Sequence, residues 1–207
     1  MTPDEIRTLL QHTLTAWATH EEELRAADAA LGDGDLGLTV RKGALAAAET
    51  LADDEGDLPI SLRKAGQALA TANPSTFAAL VGGGVLAGAA VLEAKPSYDR
   101  TDALLFAVAV AQRIEQRGQA ELGDKTVLDA LLPSLEAFGR AQGEPVALVT
   151  AMLAVAQDKV TESAAWESRR GRAGWLGERS VGLPDAGAVA YVAFLTELLA
   201  QLEGNDA

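Results

Sequence analysis

Three aspartates lie in one short Gly-containing stretch of the sequence, "DAALGDGDLGLTV" at residues 28–40. Asp28, Asp33 and Asp35 fall between one helix-like apolar stretch and the next, so their carboxylates can converge on one point. At a separation of about 4 Å and an effective dielectric constant near 20, each carboxylate pair repels by about 4 kcal/mol. A bound cation would remove that cost, and hard oxygen ligands favour Mg²⁺ or Ca²⁺ over softer metals. The alternative is a solvated acidic loop that caps a helix.

Other chemical motifs are poorly supported. An EF-hand that starts at Asp33 would need its invariant glycine at Leu38 and its last glutamate at Ala44. The stretch "GQAELGDKT" at 118–126 resembles a P-loop, but Asp124 is inserted before Lys125 and no strand precedes it. The chain has no cysteine, which excludes thiol chemistry and disulfides. His12 and His20 are predicted to be surface or partly buried helix residues without a nucleophile partner.

A basic, Gly-rich segment interrupts the acidic chain at residues 168–187, "SRRGRAGWLGERSVGLPDAG". Its four arginines between positions 169 and 179 are typical of a strap or lid that binds an anion. An electrostatic clasp onto the protein's own acids explains them equally well.

The overall charge limits the partners. Thirty acidic against seventeen basic residues give a net charge of −13, which disfavours nucleic acid as a ligand. A smaller polyphosphate would need a cation to mask the charge. The N-terminus lacks a secretory signal, and the apolar runs at 103–111 and 146–156 are shorter than the roughly 20 residues of a membrane span. We therefore expect a cytoplasmic protein that does not bind membranes.

Apolar residues recur at three- and four-residue spacing throughout, which predicts an all-α fold in a single domain over residues 1–207. Thr2, Asn73 and Asp124 are the predicted caps of three helices. Four glycines inside the fourth helix (Gly82, Gly83, Gly84, Gly88) indicate close helix packing or a local break, or a backbone that approaches a ligand. The eight predicted helices cover residues 3–27, 37–53, 59–71, 73–94, 101–117, 124–142, 145–168 and 184–202.

Three motifs together carry a family resemblance. The pattern D-x3-GDGD-x-G from Asp28 to Gly37, "GDKTVLDALLP" at 123–133 and "GRAGWLGERSVGLPDAG" at 171–187 resemble the L subunit of dihydroxyacetone kinase, the DhaL family. The resemblance covers nearly the whole chain and implies a barrel or bundle of about eight helices with a nucleotide at one end. It implies that Asp28, Asp33 and Asp35 hold Mg²⁺, as two ions, against the phosphates of ADP or ATP.

The resemblance also implies the nucleotide-binding residues. The start of the second predicted helix would approach the phosphates, where helix amides and the helix dipole favour anions. Arg172 would donate to phosphate from the lid, and Val127 would pack against the nucleotide. The full set is Leu36, Gly37, Leu38, Thr39, Gly118, Val127, Arg172, Asp185, Ala186 and Gly187.

One residue and one segment depart from the family pattern. Leu36 replaces a residue that is often histidine, and "NPSTFAALVGGG" at 73–84 replaces a Gly-rich phosphate loop. Ser75 and Thr76 offer hydroxyls and amides at the start of a helix, so they are the predicted phosphate contacts in that segment.

The family resemblance implies a phosphotransferase that works with a separate K-type subunit, which holds the ketone substrate. Phosphoryl transfer would run between the nucleotide and the C1 hydroxyl of dihydroxyacetone. Tightly bound ADP could be recharged by a phosphocarrier protein of the sugar phosphotransferase system, or ATP could exchange in each cycle. A kinase for a tetrulose and a non-catalytic, nucleotide-dependent regulatory module are the alternatives.

Overall fold

The structure is a computed structural model that describes residues 1–52 and 54–205. Within these residues it has nine α-helices, three 3₁₀ turns and no β-strand, which confirms the all-α prediction. The helices are α1 (Pro3–Trp17), α2 (Glu21–Ala29), α3 (Leu36–Ala52), α4 (Leu58–Thr71), α5 (Thr76–Ala90), α6 (Arg100–Gly118), α7 (Val127–Arg140), α8 (Pro145–Ala164) and α9 (Ala186–Asn205).

Two helices begin at complete capping boxes. In α1 the Thr2 hydroxyl accepts the Glu5 amide at 3.3 Å, while the Glu5 carboxylate accepts the Thr2 amide at 2.8 Å. In α7 the box joins Thr126 and Asp129. Each box satisfies two amides that a helix start leaves without an intrahelical partner.

Several predicted helix ends are wrong. The first predicted helix, 3–27, is divided by a 3₁₀ turn at Ala18–His20, and this division accounts for the ninth helix. Asn73 does not cap α5, whose N-cap is Ser75, because the Asn73 amide donates instead to Thr39 Oγ1 at 2.8 Å. Asp124 does not cap α7 either, since its carboxylate accepts from Arg170 Nε at 2.7 Å. Both side chains are used in tertiary contacts.

The contacts group the described residues into two compact units. The first unit contains Met1–Thr19 and Thr39–Gly118, and α5 packs there against α4 and α6. Glycines allow this packing. A Cβ on Gly82 would lie 2.5 Å from the Gly66 carbonyl oxygen, and one on Gly88 would lie 2.6 Å from the Phe106 ring. Helix α5 is continuous, so these glycines mark close packing and not a break.

The second unit contains His20–Leu38 and the chain from Gln119 onward. Here α7, α8 and α9 pack against one another around buried side chains such as Leu128 and Leu195. Helix α2 packs on α9. His20 links them, since its Nδ1 lies 2.8 Å from Glu23 Oε2 and its Nε2 lies 2.7 Å from Glu197 Oε1. Burial lowers the pKa of His20, but the two carboxylates outweigh it and hold that pKa above the usual value.

The apolar runs at 103–111 and 146–156 are the only segments that the sequence analysis considers as membrane spans, and helix α9 lies outside both. Its residues Ala186–Gly204, with a mean hydropathy of 1.2, meet the length and composition of a membrane span. A core helix meets the same criteria, and α9 packs against α7 and α8.

Candidate nucleotide and metal site

The acidic turn brings its three aspartates together. Asp28 lies near the end of α2, and Asp33 and Asp35 lie on the turn that leads into α3. One carboxylate oxygen from each residue lies within 4.8 Å of the other two. The convergence that the spacing predicted is therefore present in the second unit.

Glycines give this turn its shape. Gly34 has a φ of +74°, a left-handed conformation that favours glycine. A Cβ on Gly32 would lie 2.8 Å from Asp28 Oδ1 and would push that carboxylate away. At Gly37 a Cβ would lie only 2.0 Å from the Glu21 carbonyl oxygen, so the start of α3 can cross α2 only with glycine at this position.

The carboxylates carry a local electrostatic cost. Partial burial and the neighbouring charge of Asp33 raise the pKa of Asp35, Arg172 opposes the rise, and Asp28 adds to it. Arg172 places Nη1 against Asp33 Oδ2 and holds Nη2 3.9 Å from Asp35 Oδ2. Arg172 therefore compensates part of the negative charge of these carboxylates.

The donor set fits a hard divalent cation. Three carboxylates on a partly exposed turn provide oxygen ligands and leave room for water and phosphate oxygens, which Mg²⁺ typically retains. Asp28 also accepts the Leu36 amide through Oδ2 at 3.3 Å. Asp28 thus accepts an amide at the start of α3 and also belongs to the carboxylate cluster, so the capping interpretation and the metal interpretation are compatible.

The other predicted nucleotide residues are divided between the units. In the second unit, Leu36 and Gly37 are buried in the first turn of α3, and Leu38 follows there. In the first unit, Thr39 is 1% exposed and Gly118 is the last residue of α6. Ser75 and Thr76 begin α5, and the Ser75 side chain makes no capping hydrogen bond.

The remaining predicted residues lie in the second unit. Val127 is the first residue of α7. Asp185 precedes α9 and accepts the Ala188 amide at 2.8 Å, so α9 begins at Ala186 and not at the predicted Pro184. Burial raises the pKa of Asp185 to about 6, although hydrogen bonds from the Ala188 and Gly187 amides oppose the rise.

The Arg-rich segment contacts the protein's own acids. Arg170 pairs with Asp124, and Arg172 pairs with the acidic turn. The clasp interpretation is therefore correct for these two arginines. Sequence reasoning missed Lys125, which is 1% exposed and donates to three main-chain carbonyls. The signal for Lys125 is its place in the "GDKT" motif, which resembles a P-loop and also belongs to the family motif at 123–133.

A family comparison decides what kind of domain carries this site. The family model of the DAK2 domain matches residues 30–200. The chain belongs to the DAK2 domain family. The resemblance to the DhaL family is thereby confirmed, because this DAK2 chain is also 30% identical over 189 residues to the ADP-binding subunit DhaL of the PEP-dependent dihydroxyacetone kinase of Escherichia coli. That match covers 89% of each chain.

Longer kinases contain a similar region. The chain is 35% identical over 187 residues to L-erythrulose 1-kinase of Mycolicibacterium smegmatis. The match covers 87% of this chain but only 32% of that longer relative. It also superposes on the dihydroxyacetone kinase of C. freundii in complex with AMP-PNP and Mg²⁺, with a TM-score of 0.72. The superposition covers 94% of this chain and 33% of that one at 20% identity, which supports the fold alone.

Proposed function

We propose that this chain is the nucleotide-binding subunit of a dihydroxyacetone kinase or a related small-ketose kinase. In this role it binds ADP or ATP with Mg²⁺, and a separate K-type subunit holds the ketone. The observation that carries the proposal is the convergence of Asp28, Asp33 and Asp35 within 4.8 Å on a DAK2 domain. The family match spans parts of both compact units, which supports a single functional domain over 1–207.

The chain's own residues would bind and orient the nucleotide. Mg²⁺, when bound by the three aspartates, neutralises charge on phosphate oxygens. The Arg172 side chain is 55% exposed. It can leave its contacts with Asp33 and Asp35 and donate to a phosphate group instead. The first turn of α3 and that of α5, with Ser75 and Thr76, offer amides for anion binding. Gly118, Val127 and Asp185 to Gly187 are the further nucleotide contacts that the family resemblance implies.

Asp33→Asn and Asp35→Asn test this assignment. Each substitution removes a metal ligand and relieves repulsion, so we expect the fold to persist while affinity for ADP in Mg²⁺ falls at least about 100-fold. Calorimetry with ADP and Mg²⁺ measures this loss, and Asp158→Asn, on an exposed position of α8, is the matched control. Unchanged ADP affinity in both Asp33→Asn and Asp35→Asn would refute the site.

The substrate and the phosphoryl donor need separate experiments. The names of the erythrulose kinases favour a tetrulose as the second candidate substrate. Reconstitution with a K-type subunit, with dihydroxyacetone and erythrulose compared at equal concentration, decides between them. Absence of transfer to either ketose, together with retained nucleotide binding, would favour the regulatory module instead.

The donor can be identified from the purified protein. Mass spectrometry that finds retained ADP favours recharging by a phosphocarrier protein. Purified protein without bound nucleotide favours a kinase that binds a new ATP molecule in each cycle.

A further inference from the structure

Lys125 is a buried lysine with a complete set of acceptors. Its side chain is 1% exposed, and Nζ donates to the carbonyl oxygens of Ala164 at 3.2 Å, Trp166 at 2.9 Å and Ser180 at 2.6 Å. An ammonium group has three donors, so all three are used. Burial lowers the pKa of this lysine, and the nearby Asp185 opposes that shift.

The three acceptors come from the two ends of one loop. Ala164 ends α8, Trp166 follows it closely, and Ser180 ends the last 3₁₀ turn before α9. We call residues 165–181 the arginine loop, since it contains Arg169, Arg170, Arg172 and Arg179. One ammonium group therefore joins the start of the arginine loop to its end.

Hydrogen bonds from main-chain amides also join the two ends of the arginine loop. The Gly182 amide donates to the Ala164 carbonyl at 2.8 Å, and the Ser168 amide donates to Ser180 Oγ at 2.9 Å. Arg169 donates its amide to the Asp124 carbonyl at 3.0 Å. Between these joined ends, Trp175 is 90% exposed.

The backbone at Lys125 is held in an uncommon conformation. Lys125 has a φ of +60° and Gly123 a φ of +92°, and a positive φ is uncommon for a residue other than glycine. Such strain persists only where the surroundings determine it strongly. Burying an ammonium group is also costly unless every donor is satisfied. An apolar side chain would fill the space but would remove one hydrogen bond from each of three carbonyls, although those of Ala164 and Ser180 would still accept the Gly182 and Leu183 amides.

We propose that Lys125 is a positioning residue for the nucleotide site, because it fixes both ends of the arginine loop and so holds Arg172 over the acidic turn. The link to nucleotide rests on the proposed function, whereas the clamp on the loop does not. A fixed loop loses less conformational freedom when Arg172 binds phosphate, so the clamp acts by preorganisation.

Limited proteolysis tests the clamp without any nucleotide. Lys125→Met keeps the length of the side chain and removes its three donors. We expect tryptic cleavage after the loop arginines to become at least about tenfold faster, while cleavage after the exposed Arg117 and Arg140 stays within about twofold. Lys159→Met, on the same helix as Ala164, is the control and should leave the rate of cleavage after the loop arginines unchanged. Equal acceleration at all sites, or none, would overturn the clamp.

Nucleotide binding tests the positioning role. In Lys125→Met we expect ADP affinity in Mg²⁺ to fall about tenfold by calorimetry. In the reconstituted kinase, KM for the nucleotide should rise by a similar factor while kcat stays within about threefold. Simple loss of folded protein would lower kcat at constant KM. Faster loop cleavage with unchanged ADP affinity contradicts the positioning role.

The two experiments together distinguish failure of the Lys125 clamp from failure of the proposed function. A wild-type chain that binds no ADP contradicts the proposed function, and the cleavage pattern then decides the clamp alone. If Lys125→Met does not fold, hydrogen exchange on the wild-type chain replaces it. The Ser168 and Gly182 amides should then exchange as slowly as amides within α8, and free exchange at both would overturn the proposal.

Discussion

At the scale of single residues, Asp185 combines a capping role with a costly charge. Burial raises its pKa from 3.8 to about 6, while the Ala188 amide, Lys125 and the Gly187 amide oppose the rise and Asp129 adds to it. The folded chain therefore binds this proton more tightly than the unfolded chain between these two pH values. The stabilising contribution is complete below about pH 3.8 and is lost as the pH rises through about 6.

Asp185→Asn should remove this pH dependence and keep an acceptor for the Ala188 amide. We expect the variant to gain about 1–2 kcal/mol of unfolding free energy relative to the wild type at pH 8, and nothing at pH 4. Urea denaturation at both pH values measures the difference. Asp158→Asn should show no such trend. A variant less stable than the wild type at pH 8 would contradict the assigned cost.

Some site residues could be predicted from the sequence, and others could not. The acidic turn was predictable because Asp28, Asp33 and Asp35 are close in sequence, and local chain geometry brings them together. Lys125 and Asp185 depend on burial by segments distant in sequence, which no local pattern reports. The contact of Arg172 with the acidic turn has the same long-range origin.

At the scale of helices, α5 offers a matched pair of glycines. Gly82 faces α4, where an added Cβ would meet the Gly66 carbonyl oxygen at 2.5 Å and the Ala70 Cβ at 2.7 Å. A Cβ on the adjacent Gly83 would have no neighbour within 4 Å. The same substitution should therefore have opposite effects at neighbouring positions.

We expect Gly82→Ala to lower the free energy of unfolding by about 2–3 kcal/mol through overpacking. Gly83→Ala should raise it by about 0.5–1 kcal/mol, since alanine favours the helix. Urea denaturation of both variants gives the comparison. Similar effects at both positions would show that α4 and α5 do not pack as closely as the structure has them.

Helix ends were predictable where local capping operates. Thr2 with Glu5 gave the start of α1, and Pro145 that of α8. The prediction failed at Asn73 and Asp124, whose side chains bind Thr39 and Arg170 instead. A tertiary hydrogen bond used a side chain that local reasoning had assigned to a cap.

At the scale of the whole molecule, the net charge of −13 opposes an anionic ligand. The acidic turn is an extreme case, because Asp35 has a raised pKa even beside Arg172. Binding of ADP should therefore require the cation. The same reasoning predicts that loss of a carboxylate abolishes the response to nucleotide without weakening the fold.

Thermal denaturation with and without ligand tests this coupling in the intact chain. Ligand at about 100 times its Kd stabilises the folded state by about 2.7 kcal/mol, which for a chain of this size raises Tm by about 5–10 °C. We expect that rise with ADP and Mg²⁺ together, and almost none with ADP and a chelator. Asp35→Asn should melt no lower than the wild type without ligand, because the charge that burial and Asp33 disfavour is gone, and it should not respond to ADP and Mg²⁺. A full response to ADP in the chelator would mean that the cation is not needed and that the acidic turn does not bind the nucleotide through it.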